Sequence, residues 1–443
     1  MCALLLLMIL PTDLNYASLV TQTTGTEDDT SVLNKVVLLT VLIGSCYFIA
    51  TRQRLWLAVL RSLNPFYLLF LALTAISLFW SIAPDVTTRH VFRLLVIFLA
   101  CTAFTLHGWT PGRFQVVMRN LLGALLVGSI VFAIFMPQYG VEKFEDYGAG
   151  VSTFRAYGEG VTAIVKPVLR GLTYSKNQIG PLAGLGLIFW LHAWLDKQVK
   201  FFWFLVCGGA SAVCLYWAHS STALLASAFS VVMILMLRHW PQWLRRYMPH
   251  LILLFSAVVF LYSLVILRVI PGLDILLSPI TAMTGKDLTF SSRTSIWEII
   301  AEHIAKHPWI GTGYSAYWTI APGSPALQVK TLLNFFPGES HNGYLDVQND
   351  LGAIGSLCLL GYMITSLRQS VRLMAIDRSQ GSIYLVLLFY VFWSSMSESH
   401  WFSAESVLFT VLTLSVCCCA RGLLQHEFSA EVVHPLARHA RSY

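Results

Sequence analysis

The segment RNLLGALLVGSIVFAIFMP (residues 119–137) is apolar over nearly its whole length, and its one charge stands at the first position. An α-helix needs about 20 such residues to cross the roughly 30 Å hydrocarbon core of a bilayer. Similar blocks recur along the whole chain, although the first of them is short. They predict about twelve spans, near residues 2–12, 32–50, 64–82, 90–107, 119–137, 178–195, 201–218, 221–237, 250–267, 351–367, 382–396 and 404–420.

The composition of the 443 residues supports this interpretation. Hydrophobic residues make up 56%, charged residues only 12%, and the mean hydropathy is +0.67. These values exclude a set of soluble domains and a disordered chain. A membrane β-barrel is excluded because its strands alternate apolar and polar residues instead of running apolar throughout. The sequence therefore predicts an all-α polytopic membrane protein, with residues 1–443 forming a single integral membrane domain.

The basic residues indicate how the spans are oriented. Short loops that carry Lys and Arg stay in the cytoplasm, because translocation disfavours positive charge. Alternate connections follow this rule and carry Arg52, Arg54, Arg61, Arg113, Arg119, Lys197, Lys200, Arg238, Arg245, Arg246, Arg368, Arg372 and Arg378, and the tail carries Arg421, Arg438 and Arg441. Both chain ends are therefore predicted to be cytoplasmic.

Two outward connections are much longer than the others, at residues 138–177 and 268–349. Long loops in a compact protein are usually functional. These two contain ten of the 29 Lys and Arg residues, which suggests an anionic ligand on the outer side rather than nucleic acid. We therefore expect the chemistry of this protein in these loops.

Residues that are missing from the sequence also restrict the function. No Asp or Glu stands in the middle of a predicted span, whereas ion-coupled transporters place ionisable groups there. The chain also lacks the phosphate-binding, zinc-protease, hydrolase and dinucleotide motifs of soluble enzymes. A transporter is therefore the weaker hypothesis, although twelve spans alone would favour it.

The second long loop contains SSRTSIWEIIAEHIAKHPWIGTGYSAYW (residues 291–318). Ser295 and Glu298 have the spacing of a capping box, and an apolar stripe follows at helical spacing. This pattern predicts an amphipathic helix of about four turns that ends at Pro308. Arg293 would precede its N-terminus, where backbone N–H groups favour an anion. Arg293 is either part of an anion site or a solvated surface charge.

Histidines and aromatic residues in the same loop have two interpretations each. His303 and His307 share a helix face, but no third ligand at a recognisable spacing supports a metal site. Tyr314, Tyr317 and Trp318 could stack on sugar rings or belong to the aromatic belt at the membrane interface. We expect no metal at this site.

The loop ends in GESHNGYLDVQNDLGAIG (residues 338–355), which leads into the tenth predicted span. His341 is flanked by Glu339 and Asn342, and a neutral imidazole at this position could accept a proton from an incoming hydroxyl. The alternative is a structural histidine. The membrane-surface position and the polar neighbours favour the first interpretation.

The first long loop supplies further cations. Arg155, Arg170 and Lys176 lie on the approach to the sixth predicted span. Several Arg and Lys residues at one interface suit a diphosphate, because guanidinium groups bind two phosphate oxygens at once. Anionic lipid headgroups would be bound by the same residues, so both ligands remain open.

Four motifs resemble those of the O-antigen ligase and polysaccharide polymerase superfamily, and most closely its succinoglycan-type exopolysaccharide polymerases. They are GLTYSKNQIG (171–180), TGKDLTFSSRTSIW (284–297), HPWIGTGYSAYW (307–318) and ESHNGYLDVQNDLGAIG (339–355). Their order and spacing, with the layout of the spans, extend the resemblance over most of the chain. Ser292 and Ser221 depart from the family pattern, which often has Gly and a basic residue at these positions.

The resemblance implies a GT-C-like helical membrane glycosyltransferase of the bacterial inner membrane, with a periplasmic active site and no metal or cofactor. It would transfer an oligosaccharide from undecaprenyl diphosphate to an acceptor hydroxyl. His341 would be the base or the acceptor-orienting group, and Arg293, Arg170 and Lys176 would contact the diphosphate. Arg155 has only its loop position in its favour. The polar neighbours of His341 and the aromatic Tyr314 would contact the acceptor or the sugar.

The resemblance leaves the acceptor open. A polymerase would extend lipid-linked repeat units, whereas a ligase would transfer a finished glycan to lipid A core. A chain-length regulator, a flippase and membrane lipids are the expected partners. A transporter of polysaccharide or lipid-linked sugar is the alternative from another functional class.

Overall fold

We describe the protein from a computed structural model. The described residues are 1–11, 31–146, 164–239, 247, 293–319, 324–333 and 336–439. The helices, numbered in chain order, are α1 (Cys2–Ile9), α2 (Val32–Thr51), α3 (Gln53–Ser62), α4 (Pro65–Ile76), α5 (Pro84–Leu106), α6 (Arg113–Phe135), α7 (Pro137–Gly140), α8 (Lys176–Leu195), α9 (Phe201–Trp217), α10 (Ser221–His239), α11 (Arg293–Lys306), α12 (Pro325–Leu333), α13 (Gly343–Ile376), α14 (Arg378–Ser394) and α15 (Val407–His439).

Seven described helices are long and apolar enough to cross a membrane: α2, α5, α6, α8, α10, α13 and the first part of α15. The chain is therefore an all-α polytopic membrane protein, as the sequence predicts. An eighth candidate is the pair formed by α3 and Pro65–Phe79, which is bent by 100°. These helices account for eight of the twelve predicted spans.

The remaining predicted spans are not confirmed. The block at 2–12 forms a helix of only 8 residues, and the block at 201–218 forms a helix of 17 residues interrupted by π-helical geometry. The block at 382–396 lies in α14, which also has 17 residues and rises only about 26 Å at about 1.5 Å per residue. The block at 250–267 lies outside the described residues.

Helix α15 forms the centre of the bundle, because nearly all of its apolar stretch is buried inside the protein. Helix α2 lies at the periphery and exposes most of its apolar side chains. Large exposed side chains such as Phe79 and Phe135 are typical of surfaces that face lipid rather than water. The bundle therefore has a packed interior and an apolar outer surface.

Helix α13 is broken near its start, at Gly352, where φ is +62°. A Cβ atom at this position would lie 2.3 Å from the carbonyl carbon of Trp309, so only glycine allows the HPWIGTG segment to pack this closely. The backbone of Ala353 also donates to the carbonyl of Pro308 at 2.8 Å. The break separates the first two turns, which belong to the outer loop, from the part of α13 that is long enough to span.

Both long loops contain regular structure. In the first loop, Val141–Asp146 and Ile164–Leu169 form an antiparallel two-stranded sheet, β1 and β2. In the second loop, α11 is amphipathic as predicted and buries Ile296, Trp297 and Ile300. Its first described residue is Arg293. Ser295 therefore lies inside the helix and is not its N-cap, so the predicted capping box is wrong. Residues 147–163 and 248–292 lie outside the described residues.

Candidate functional site

His341 stands two residues before α13 in the left-handed region of backbone conformation, with φ +52°. Few residues other than glycine adopt this conformation, although Asn, Asp and His do so more often than most. Asn342 follows as the N-cap of α13, and its side-chain oxygen accepts from the backbone of Tyr344 at 3.1 Å and of Leu345 at 3.3 Å. The turn thus fixes the position of the imidazole at the helix start.

The segment between α14 and α15 crosses directly over this turn. The backbone N–H of Gly343 donates to the carbonyl of Ser395 at 2.8 Å and to that of Glu398 at 3.2 Å. A Cβ atom on Gly343 would lie only 3.0 Å from the backbone nitrogen of Trp401. Glycine therefore lets the two backbones approach each other and brings Glu398 to the imidazole.

Two carboxylates and two cations form the centre of the site, which we call the His341 cluster: Arg293, Glu339, His341 and Glu398. Nδ1 of His341 lies 2.8 Å from Glu339 and 3.2 Å from Glu398. The other carboxylate oxygen of Glu398 accepts from Arg293 at 2.9 Å, and Arg293 also donates to the carbonyl of Ser397. Glu398 is therefore held between the imidazole and the guanidinium.

These contacts determine the protonation of the cluster. Burial alone would lower the pKa of His341, but the hydrogen bonds to Glu339 and Glu398 outweigh it and raise the pKa to about 9. Burial alone would raise the pKa of Glu398, but the hydrogen bond from His341 and the charge of Arg293 lower it. His341 is therefore an imidazolium at pH 7, whereas the sequence analysis expected a neutral imidazole. That expectation was wrong because it left out the effect of two close carboxylates on the imidazole, Glu339, which was predicted nearby, and Glu398, which was not foreseen.

Arg293 reaches the cluster because α11 packs on the first turns of α13. The buried Trp297 donates from its indole nitrogen to the carbonyl of Ser340 at 2.8 Å, beside His341. The Arg293 side chain is 21% exposed and ion-paired, so it is not the solvated surface charge that the sequence left open. On the same helix, Nδ1 of His303 donates to the side-chain oxygen of Asn349 at 2.9 Å, and burial lowers the pKa of His303. His303 thus has a structural contact.

The basic residues of the first loop lie beside a neighbouring helix end. Arg170 is buried and donates to the carbonyl of Tyr139, at 3.1 Å from Nε. The backbone of Lys176, the first residue of α8, donates to Glu142 at 3.3 Å. These contacts hold the base of the loop together and are not contacts with the His341 cluster. Arg155 lies outside the described residues.

The other predicted contact residues are mostly buried. Tyr314 is 3% exposed, and its hydroxyl donates to the carbonyl of Phe402 at 2.7 Å and accepts from Ala404 at 3.1 Å. Tyr317 is also buried, so neither tyrosine forms an interfacial belt. The side-chain oxygen of Asn342 is occupied by its capping role. A direct sugar contact by Asn342 is therefore disfavoured.

Three residues of the cluster could also hold a metal ion, because ligand atoms of Glu339, His341 and Glu398 lie within 4.8 Å of one another. The metal would have to replace the proton on Nδ1, the atom that faces both carboxylates. The cluster already balances its charges, since two carboxylates face one guanidinium and one imidazolium. The ion pairs alone therefore account for this arrangement.

The cluster lies at the helix ends opposite to those rich in arginine. Ser397 contacts Thr222 at the start of α10, with 2.6 Å between the hydroxyl oxygens. Arg238 at the other end of α10 pairs with Asp196 at 3.1 Å, and Arg378 donates to the carbonyl of Leu237 at 2.5 Å. The two ends of the bundle therefore differ in charge. The cluster lies at the end whose short loops contain fewer Lys and Arg residues among the described residues.

Glu398 is the site residue that the sequence analysis missed. It lies in SSMSESHWFSAES (394–406), a short connection between two apolar blocks. A glutamate and a histidine in such a connection are a usable signal, because ionisable residues near spans are commonly functional. The spacing alone could not show that this connection crosses the turn before α13.

Comparisons with known proteins show what the chain is similar to. Residues 207–360 match the family described as O-antigen ligase. The resemblance to the O-antigen ligase and polysaccharide polymerase superfamily is confirmed. The chain is also 25% identical, over 325 residues, to the exopolysaccharide production protein ExoQ of Rhizobium meliloti (strain 1021). The match covers 71% of this chain and 67% of that relative. Both matches concern exopolysaccharide or O-antigen processing.

Proposed function

We propose that this protein is a glycosyltransferase of the bacterial inner membrane that polymerises lipid-linked oligosaccharide repeat units at the periplasmic face. The donor would be an undecaprenyl-diphosphate-linked oligosaccharide, and the acceptor a hydroxyl of another repeat unit. The similarity to ExoQ supports polymerisation of an exopolysaccharide. The charge difference between the two ends of the bundle supports a periplasmic site, with both termini in the cytoplasm.

The observation that carries this proposal is the His341 cluster itself. It combines a fixed imidazolium, a guanidinium and two carboxylates in one place at the end of a membrane bundle. Transfer from a diphosphate needs a cation that stabilises the leaving oxygen and a base that receives the acceptor proton. The cluster holds both kinds of group within hydrogen-bonding distance of each other.

The reaction assigns a role to each group. The acceptor hydroxyl attacks the anomeric carbon, and the bond from that carbon to the diphosphate oxygen breaks, with both electrons leaving on the diphosphate. The hydroxyl proton passes to the carboxylate of Glu339, whose side chain is 38% exposed. His341 orients this carboxylate through Nδ1, and Arg293 stabilises the diphosphate. Lys176 and Arg155 would extend the anion-binding surface, and the buried Arg170 would hold the base of their loop in place.

Ligation of a finished glycan to lipid A core is the second candidate, because residues 207–360 match the family described as O-antigen ligase. Lipid-linked intermediates from a deletion strain separate the two reactions. Accumulation of single repeat units would indicate lost polymerisation, and accumulation of long carrier-bound chains would indicate lost ligation.

The direct test uses purified protein in detergent with lipid-linked repeat units. We expect longer glycans from the wild-type protein and none from His341→Asn or Arg293→Ala. His341→Asn is preferred to His341→Ala because asparagine tolerates the left-handed backbone at this position. Glu427→Gln, which removes an exposed partner of Arg372 far from the cluster, is the matched control. Full activity of both cluster variants would contradict the proposal.

A further inference from the structure

A cavity of about 610 Å³ lies beside the His341 cluster. This volume falls within the range of about 300–1,000 Å³ that is usual for small-molecule sites. Trp318 and Phe336 line the cavity with partly exposed rings, whereas the rings of Tyr314, Trp401 and Phe402 behind them are buried. Aromatic faces in a water-accessible pocket are suited to the apolar faces of sugar rings.

Carboxylates line the same cavity and are held in fixed positions. Asp346 accepts from the indole nitrogen of Trp318 at 3.2 Å and from the hydroxyl of Ser399. Asp350 accepts from the backbone of Ser315 at 2.8 Å. Oxygens fixed in this way accept hydrogen bonds from hydroxyl groups without further loss of side-chain entropy.

Glu339 connects the cavity to the His341 cluster. Its side chain lines the cavity, and one of its oxygens lies 2.8 Å from Nδ1 of His341. A hydroxyl on a molecule in the cavity can therefore reach the carboxylate that is positioned by the imidazolium. No other described residue of the cluster lines this cavity.

We propose that this cavity binds the terminal sugar of the acceptor glycan, as an uncharged, hydroxyl-rich ring. This inference rests on the proposed glycosyl transfer and specifies its acceptor site. The lining contains the carboxylates of Glu339, Asp346, Asp350 and Glu405 together with Arg89 and His90, and Glu405 also pairs with Arg93 at 3.0 Å. The described lining therefore offers a diphosphate no excess of cations. The donor diphosphate therefore binds on the Arg293 side of the cluster, and the acceptor sugar binds on the Glu339 side.

Direct binding is the first test. The probe is the repeat-unit oligosaccharide freed from its carrier by mild acid, prepared from the lipid-linked intermediates of a strain that lacks the protein. We expect saturable binding to the wild-type protein in detergent by isothermal titration calorimetry, with no competition from inorganic diphosphate. Absence of binding, or displacement by diphosphate, would overturn the proposal.

A cavity-filling variant is the second test. Val86 lines the cavity in the first turn of α5 and forms no polar contact through its side chain, so Val86→Trp fills the space without removing a charge. Thr88→Trp places the same side chain on an exposed position of the same helix, outside the lining, and is the control. We expect Val86→Trp to weaken oligosaccharide binding by about tenfold or more, and Thr88→Trp to leave it unchanged.

Kinetics then separate this inference from the proposed function. With the free oligosaccharide as acceptor, Val86→Trp should raise the acceptor KM by about tenfold and leave the donor KM within about twofold. An unchanged acceptor KM in a variant that remains folded would reject the cavity while leaving glycosyl transfer intact. Oligosaccharide binding without any transfer by the wild-type protein would instead reject the proposed enzyme.

Discussion

Replacing Glu398 by Gln should shift the pH dependence of glycan transfer. In the wild-type protein the pKa of His341 is raised from 6.5 to about 9 by two carboxylates that outweigh its burial. This difference corresponds to about 3 kcal/mol in favour of the imidazolium. Removing one carboxylate should lower the pKa of His341 by about 1 to 2 units, because a charge at this distance has an effect of that size.

The direction of the effect follows from the role of the imidazolium. A group whose pKa is raised on folding contributes stability that is complete below pH 6.5 and is lost as the pH rises through about 9. Transfer activity should therefore decline above about pH 9 in the wild-type protein and above about pH 7 to 8 in Glu398→Gln. The pKa of the nearby His400 is lowered by burial to about 4, so His400 does not titrate in this range.

The assay is the initial rate of glycan lengthening by purified protein between pH 6 and about 10. Glu427→Gln, at the other end of the bundle, should retain the wild-type profile. The melting temperature of the wild-type protein should fall as the pH rises above 6.5, and that of His341→Asn in the same buffers should not show this fall. If activity declined at the same alkaline pH in the wild type and in Glu398→Gln, the proposed effect of Glu398 on the pKa of His341 would be refuted. An activity that rises through pH 9 would show that neutral His341 is itself the base.

Three further substitutions test the contacts around the cluster. Gly343→Ala places a Cβ atom 3.0 Å from the Trp401 backbone and should cost about 1–3 kcal/mol of stability and most of the activity. Gly44→Ala, a helix position with open space around it, should lower neither; melting temperature and transfer rate are the measurements. Arg293→Lys keeps the charge but loses the paired geometry, so the donor KM should rise, and an unchanged KM would count against a diphosphate contact. Trp297→Phe removes the 2.8 Å hydrogen bond to Ser340 and should cost about 1 kcal/mol, seen as a lower melting temperature; a melting temperature equal to that of the wild type would show that this bond does not stabilise the turn.

The sequence predicted the fold class because long uncharged apolar blocks have few alternatives to membrane helices. It could not give the number of spans. The break at Gly352 depends on a contact with Trp309. The short length of α14 depends on the caps at its two ends, Asp377 at the N-terminus and Ser395 at the C-terminus. Hydropathy along the chain contains neither kind of information.

The candidate site was predicted in part. His341 and Arg293 were selected from two motifs of one loop, and the structure brings both to the same glutamate. Glu398 was missed because its role depends on a crossing of backbones at Gly343, more than fifty residues earlier in the chain. The protonation of His341 was also predicted incorrectly, since its pKa is set by contacts in space with both Glu339 and Glu398.

The balanced charge of the His341 cluster has a consequence for which anions it attracts. Among the described residues of the cluster each cation already has an internal counterion, so free phosphate or sulfate meets no net positive charge from them. An anion must displace the carboxylate of Glu398 from Arg293, and a small ion with few other contacts gains little from that exchange. A larger anion with further contacts elsewhere can complete the exchange, so the cluster discriminates against small inorganic anions without a dedicated barrier.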